Sequence, residues 1–217
     1  WSSDVCSSDL HLGESRFEIM GRPFCSQLDM CSSLRYNYNS VVDKDDEVLW
    51  VGDAIYQNSP EFLPYIDSFN GRKILFRGNH DRVFTDEELA PYFYRVVPEG
   101  DGEIWRFGNL DCWVTHYPTR ANKDYFNIVG HIHSAWKVQL NMFNCGVDVN
   151  HFFPVDSSKV EFYYNAICGF YDEDVWVAYD KNNLKGGFTL HSFDISNDIE
   201  PDVSTPNSKA DVFFHTK

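Results

Sequence analysis

Apolar residues recur at steps of three and four between Pro23 and Val42, at Leu28, Cys31, Leu34, Tyr38 and then Val41 or Val42, and this period predicts an amphipathic helix. The pattern then switches. VLWV at 48–51 is a continuous apolar run that stops at Gly52-Asp53 and reads as a buried strand. Ser59-Pro60-Glu61 supplies an N-cap, a proline for the first helical position and an early acid, with Asn70-Gly71 as the stop, so a second helix is expected between them. KILF at 73–76 is again strand-like and runs straight into Gly78-Asn79-His80-Asp81. Thr85 and Glu88 have the spacing of a capping box for a short helix that Pro91 curtails. Further strands are expected at 93–97, 103–107, 110–115 and 126–129.

Strand and helix therefore alternate over the first two thirds of the chain, the pattern of an α/β fold, and polar residues gather where strands end, which is where open α/β sheets place their sites. After about residue 155 the pattern changes to aromatic, β-prone runs such as VEFYY and DVWVAY, then to a Pro/Ser/Asp-rich stretch at 197–211. Residues 156–217 are expected to form a β extension followed by a mobile tail. No internal repeat or low-complexity tract interrupts the chain.

At 217 residues the chain is long enough to bury one continuous core without covalent staples. No apolar run approaches the roughly 18 residues needed to span a bilayer, and the N-terminal stretch has neither a basic start nor an apolar segment of signal type, so a soluble cytoplasmic protein without a membrane partner is expected. Cys6, Cys25, Cys31, Cys112, Cys145 and Cys168 are scattered without paired spacing, which suits buried thiols in a reducing compartment. The formal charge of -15 works against broad contact with a phosphate backbone, whose affinity comes from Lys and Arg displacing counterions. Any phosphate handled here needs a local positive centre.

Five of the eight histidines sit in short polar bursts at strand ends: SDLHLGE, FRGNHD, VTHYP and VGHIHSAW, with WVGDAIY supplying a carboxylate in between. Singly, each is weak: Asp-x-His, Gly-Asp and Gly-Asn are common in turns. Their joint occurrence is not. Imidazole nitrogens with carboxylate and amide oxygens suit divalent transition metals of the manganese, iron or zinc kind, and two ions are plausible for so many donors.

The order D-x-H, G-D, G-N-H-D, H, G-H-x-H from Asp9 to His133 resembles the calcineurin-like metallophosphoesterases, most of all the small phage and bacterial members with stretches like GRPF, YNSVV, GRKILFRGNHD and CGVDV. The resemblance covers roughly residues 9–150. It implies a two-sheet β-sandwich flanked by helices, a metallophosphoesterase domain over 9–155, and two divalent metal ions, manganese first, with iron, zinc or nickel as alternatives. One ion would be held by Asp9, His11, Asp53 and His133, the other by Asp53, Asn79, His116 and His131, with Asp53 giving one oxygen to each. His80 would be the general acid at the leaving group, with Asp81 orienting it and favouring its imidazolium form. Two dications can polarise a phosphoryl group and generate hydroxide near neutrality, and they supply the positive centre that a chain of this charge otherwise lacks. The implied activity is hydrolysis of phosphate mono- or diesters of small molecules or nucleotides.

Several features depart from the family pattern. The first strand should be nearly continuous in apolar residues, yet SSDVCSS offers one Val and one Cys. Residues 1–8 are therefore expected to be a non-native N-terminal scar that packs poorly while still delivering Asp9. GDAIYQN and GNHD lack the Asp-Arg-Gly and the Glu of the protein Ser/Thr phosphatases, which disfavours that activity. A nuclease is the alternative enzyme, though the composition advertises no basic groove. A metal-binding accessory module without turnover is the non-enzymatic one. Arg22, Arg77 and Arg82 could each hold a phosphate oxygen, but a structural or solvated role is the commoner fate of such residues, as it is for Tyr117. His151, His191 and His215 match no motif and are expected to be non-ligands.

Overall fold

The computed structural model describes residues 5–170. Ten strands among the described residues form two five-stranded sheets: β1 Val5–Ser7, β2 Glu47–Trp50, β3 Arg72–Phe76 and β4 Arg95–Val97 lie in the first, β5 Gly102–Phe107, β6 Leu110–Thr115, β7 Phe126–Val129, β8 Val138–Gln139 and β9 Met142–Asn144 in the second, and β10 Val155–Asp156 returns to the first. In the first sheet β1, β2, β3 and β4 are parallel and β10 pairs antiparallel with β1. In the second, β6, β7 and β9 are parallel, with β5 and β8 as antiparallel edges. Parallel strands share one C-terminal end, and every expected site residue follows such an end.

Alternation along the strands builds two cores. Cys6, Leu49, Val51, Ile74 and Phe76 join Phe107, Cys112, Val114, Ile128 and Phe143 between the sheets. The intervening Val5, Val48, Trp50 and Leu75 face the other way, onto helix α1 (Gln27–Asn39) through Met30, Cys31, Leu34 and Tyr38. The helix period read from the sequence is thus real, although Leu28 is exposed and the helix is shorter than 23–42, capped by the Ser26 side chain. Trp50 donates its indole N–H to the Tyr38 hydroxyl at 3.0 Å, so neither polar tip is stranded in this core.

The expected second helix forms as 3-10 structure over Pro60–Ser68. Ser59 does not cap it: its hydroxyl donates instead to the Gly13 carbonyl, and Pro64 inside the segment removes a backbone donor. The Thr85/Glu88 capping box is present in both directions and starts α2 (Asp86–Leu89).

Two expectations require correction. VEFYY is not a strand but the first half of α3 (Ser157–Phe170), whose Val160 and Tyr163 are buried with Tyr164 and Ile167 packed beside them, the i, i+3, i+4, i+7 spacing of a helix face. Asp156 starts it by accepting the Lys159 backbone N–H at 3.0 Å. Of residues 1–8, expected to pack poorly, Val5–Ser7 form a strand paired on both sides, with Val5 in one core and Cys6 in the other, while Ser7 Oγ is buried without a hydrogen-bond partner among the described residues, as expected of so polar a strand. DVWVAY, the 197–211 stretch, His191 and His215 lie outside the described residues. All six cysteines are free, four of them buried as expected and Cys25 and Cys168 exposed. Among the described residues no helix is long and apolar enough to cross a membrane.

Candidate metal centre

The loops after β1, β2, β3, β6 and β7 bring all seven expected metal-holding residues together. Asp9, His11 and His133 can each offer one atom within 4.8 Å of the others, and so can Asp53, His116 and His131. Asp53 joins these two groups, and a third set of donor atoms, from His11, Asp53 and His80, also lies within 4.8 Å of one another. Asp53 Oδ2 lies 3.5 Å from His11 Nε2 on one side and 3.5 Å from His116 Nε2 on the other, while Asn79 Oδ1 is 3.4 Å from the same His116 nitrogen. Oδ1 accepts the His80 backbone N–H at 2.8 Å, so a single oxygen, Oδ2, faces both groups, rather than one oxygen facing each.

Local backbone geometry explains why the motifs look as they do. Asp9, His11, Asp53, His131 and His133 all have positive φ, between 48° and 74°, which costs non-glycine residues of order 1–3 kcal/mol each. Such conformations persist where neighbours hold them. His11 N–H donates to Asp53 O at 2.9 Å, Asp9 N–H to Gly52 O at 3.1 Å, and His131 N–H to Asp9 Oδ1 at 3.0 Å. The motif glycines are required by contact: a Cβ on Gly52 would come within 2.2 Å of the His116 ring, and one on Gly78 within 2.3 Å of Asp53 Oδ1.

Hydrogen bonds also set the histidine tautomers. His116 Nδ1–H donates to the Val51 carbonyl at 2.7 Å and His133 Nδ1–H to Asp148 Oδ2 at 3.0 Å, so each ring turns its Nε2 toward the cluster, the arrangement by which proteins orient metal-binding imidazoles. Other polar atoms are conspicuously unsatisfied. Among the described residues, Asp9 Oδ2, both ring nitrogens of His11 and His80 Nδ1 are buried with no hydrogen-bond partner, where nearly all buried polar atoms have one. Burial pushes the Asp9 carboxyl up to about 6. Burial also depresses His116, but the hydrogen bond and charge of Asp53 outweigh it and raise the imidazole to about 9. Carboxylate and imidazole are thus held side by side here, a pairing that suits a divalent ion as well as the stranded donors do.

Asp81 does something other than expected. Its fully buried carboxylate accepts three backbone N–H groups, from Asp53 at 2.7 Å, Ala54 at 3.0 Å and Gly78 at 2.9 Å, tying the β2 and β3 loops together. The His80 ring receives nothing from it; burial lowers the His80 pKa, and the carboxylates that oppose this are Asp53 and Glu14. Arg22 and Arg77 are structural. Arg77 donates to the Asp81 and Phe84 carbonyls and to Asp86. Arg22, buried, forms a bidentate pair with Asp148 at 2.7 and 2.9 Å and donates to the Leu10 and Asp9 carbonyls. Arg82 is exposed and pairs with Glu99, which also accepts from the Tyr117 hydroxyl.

Residue-type reasoning missed Asp148 and Asn144. The Asn144 side chain donates to the carbonyls of His133 and Trp136 at 2.8 and 2.9 Å and fixes the loop that carries His133. The signal for Asp148 lies in CGVDV, one of the stretches that resemble the family.

The profile of the calcineurin-like phosphoesterases matches residues 5–195. The chain belongs to this family. Among its relatives is the uncharacterized protein MJ1445 of Methanocaldococcus jannaschii, 28% identical over 121 residues that make up 53% of this chain and 68% of that protein. Among solved structures, the protein of unknown function AQ665 from Aquifex aeolicus is similar over 75% of this chain and 100% of its own, with a TM-score of 0.59 at 19% identity, which shows a shared fold. The Pseudomonas putida nuclease MPE aligns over 60% of this chain and 61% of its own, at a TM-score of 0.42 and 19% identity. As in other phosphoesterases, the features to be explained are a metal-binding cluster and a phosphate-ester substrate.

Proposed function

We propose that this phosphoesterase hydrolyses phosphate mono- or diesters of small molecules or nucleotides, using two divalent cations, manganese first among them. The observation that carries the reading is the convergence of two donor groups on Asp53 Oδ2, with stranded polar atoms of Asp9 and His11 aimed into the same cluster. Asp9, His11, Asp53 and His133 would hold one cation; Asp53, Asn79, His116 and His131 the other. When bound, such a pair supplies Lewis acidity toward a phosphoryl oxygen and lowers the pKa of water.

The chain itself contributes positioning and a proton. Asp148 and Val51 fix which nitrogen His133 and His116 present. Asp81 fixes the loops. His80 follows Asn79 and is half-buried at the edge of the cluster, where it can donate to the oxygen that departs from phosphorus. Burial disfavours its charged form, and the negative charge of a bound ester acts in the opposite direction. The acidic composition speaks for a small ester over a polynucleotide, since no excess of Lys or Arg is available for backbone contacts.

The test is titration of manganese into metal-free protein with turnover of bis(p-nitrophenyl) phosphate, p-nitrophenyl phosphate and a DNA oligonucleotide. Activity on an aryl ester should rise with metal and saturate near about two ions per chain. No turnover of either aryl ester at any metal content would overturn the proposal, and cleavage of the oligonucleotide far above both would replace it with a nuclease.

A further inference from the structure

Among the described residues, none makes a hydrogen bond that orients the His80 ring. Its backbone N–H is fixed on Asp53, but Nδ1 is buried without a partner and the Asp81 carboxylate is engaged by the loops. Two other rings touch it instead. His11 meets it edge-on, with centroids 4.5 Å apart and planes at 84°, and Tyr56 lies 5.6 Å away, tilted by 37°. Both fall within or at the edge of the roughly 4.5–7 Å range of attractive aromatic pairs. His11 already has a place in the metal cluster. Tyr56, three residues beyond Asp53 in GDAIYQN, does not.

Tyr56 is itself held from several directions. Its N–H donates to the Leu12 carbonyl at 2.9 Å, beside the bridge between Leu12 and Ile55. Its hydroxyl accepts from Asn58 Nδ2 at 3.0 Å. The Arg16 guanidinium lies 5.2 Å from the ring centroid, inside the cation–π range of about 6 Å. Arg16 is in turn gripped by the buried Glu14 carboxylate, at 3.2 Å to Oε1 and 3.3 Å to Oε2. A packed series from Glu14 through Arg16 and Tyr56 therefore reaches His80 from outside the metal-holding residues.

We infer that Tyr56 is a positioning residue for His80, acting through its ring and not its hydroxyl to hold the imidazole in the rotamer that delivers a proton. In that step hydroxide bonds to phosphorus as the P–O bond to the leaving group breaks, the imidazolium N–H proton passes to the departing oxygen, and His80 is left neutral until solvent re-protonates it. The inference rests on the reading of His80 as the proton donor, and the experiment separates the two. A p-nitrophenolate leaves without help, whereas a phenolate needs the proton, so p-nitrophenyl and phenyl esters of the class turned over are compared.

His80→Ala tests the underlying reading: about 10²- to 10⁴-fold should be lost on the phenyl ester and much less on the p-nitrophenyl ester. Equal losses would remove His80 as proton donor, and Tyr56 with it. Given the unequal loss, Tyr56→Ala should lose roughly tenfold or more in kcat on the phenyl ester and under about threefold on the p-nitrophenyl ester, with metal content unchanged. Tyr56→Phe should keep near wild-type rates on both. The double variant should be no slower than His80→Ala alone. Equal losses of Tyr56→Ala on the two esters, loss of metal, or a full additional loss in the double variant would overturn the inference. Should Tyr56→Ala not fold, Tyr56→Leu, which fills much of the space without an aromatic face, takes its place with the same expected outcomes.

Discussion

The Asp81 carboxylate accepts the Asp53 backbone N–H at 2.7 Å, and with Ala54 and Gly78 on the same two oxygens it joins the loop that carries the shared carboxylate to the loop that carries Asn79 and His80. An Ala at 81 would leave three buried donors without an acceptor, each worth about 1–3 kcal/mol. Asp81→Ala should therefore lower stability by roughly 3 kcal/mol or more even in chelator, and it should lose metal because Asp53 is no longer fixed. Asp81→Asn, with one carbonyl oxygen, should fall between. Urea denaturation in the presence of chelator, with metal analysis, decides the matter: an Ala variant as stable as wild type would mean that the clamp carries no weight.

The legible part of this molecule was whatever is local or repeats. VLWV and KILF could be read as strands because short continuous apolar runs are what a sheet buried on both faces needs, and both bury as expected. The seven cluster residues were legible only through the resemblance of their ordered motifs to a known family, since each strand-end dipeptide or triplet is weak by itself. Roles were harder than membership. Asp81 neighbours His80 in sequence, and only the fold shows that its oxygens turn toward the β2 loop. Asp148 lies 126 residues from Arg22, so nothing local links them. β8 and β10 have two residues each, too short for any period to register. VEFYY misled because aromatic residues favour strands in isolation, whereas Val160, Tyr163 and Ile167 bury as one helix face.

Asp148 stands between Arg22 and His133, with both partners on its carboxylate. Removing it strands a guanidinium that has no exposed side-chain surface, a situation that costs about 3–5 kcal/mol when a buried pair is broken. It also frees the His133 ring, and loss of such outer partners typically weakens metal binding about 10- to 100-fold. Asp148→Ala should show both effects. Asp148→Asn, which can still accept from one neighbour, should show a smaller loss of stability with most of the loss in affinity. Competition with a metal-sensitive dye, run beside thermal denaturation, gives the two quantities separately; an Asn variant with wild-type affinity would mean that His133 is oriented by something else.

Metal should stabilise the folded chain by mass action. Among the described residues, Asp9 Oδ2 and both His11 ring nitrogens are buried without a hydrogen bond, so a cation that satisfies them should favour the native state over the unfolded one. At free manganese about 100-fold above its dissociation constant the gain is ~2.7 kcal/mol, or roughly 5–10 °C in midpoint for a chain of this size. Magnesium, which prefers oxygen donors, should raise it less. His11→Ala should abolish most of the increment. Identical midpoints in manganese and in chelator would contradict the cluster as a metal site.

The last prediction concerns two adjacent serines in the polar lead of the chain. Ser7 and Ser8 are both buried, at 0% and 1% exposure, but their hydroxyls fare differently. Ser8 Oγ donates to the Val51 carbonyl at 2.6 Å and sits where a side chain on Gly130 would have to go, 1.9 Å from an ideal Cβ there. Ser7 Oγ has no hydrogen-bond partner among the described residues. A buried hydroxyl without a hydrogen bond costs about 1–3 kcal/mol relative to one that is paired, and replacing it with an apolar group of similar size removes the penalty. Ser7→Ala should accordingly raise stability by about 1 kcal/mol, or roughly 2–4 °C, while Ser8→Ala should lower it by a similar amount, since it discards a bond already made. The opposite signs are the test, because a general dislike of serine in the strand would move both midpoints upward and a native, fully satisfied strand would move both downward.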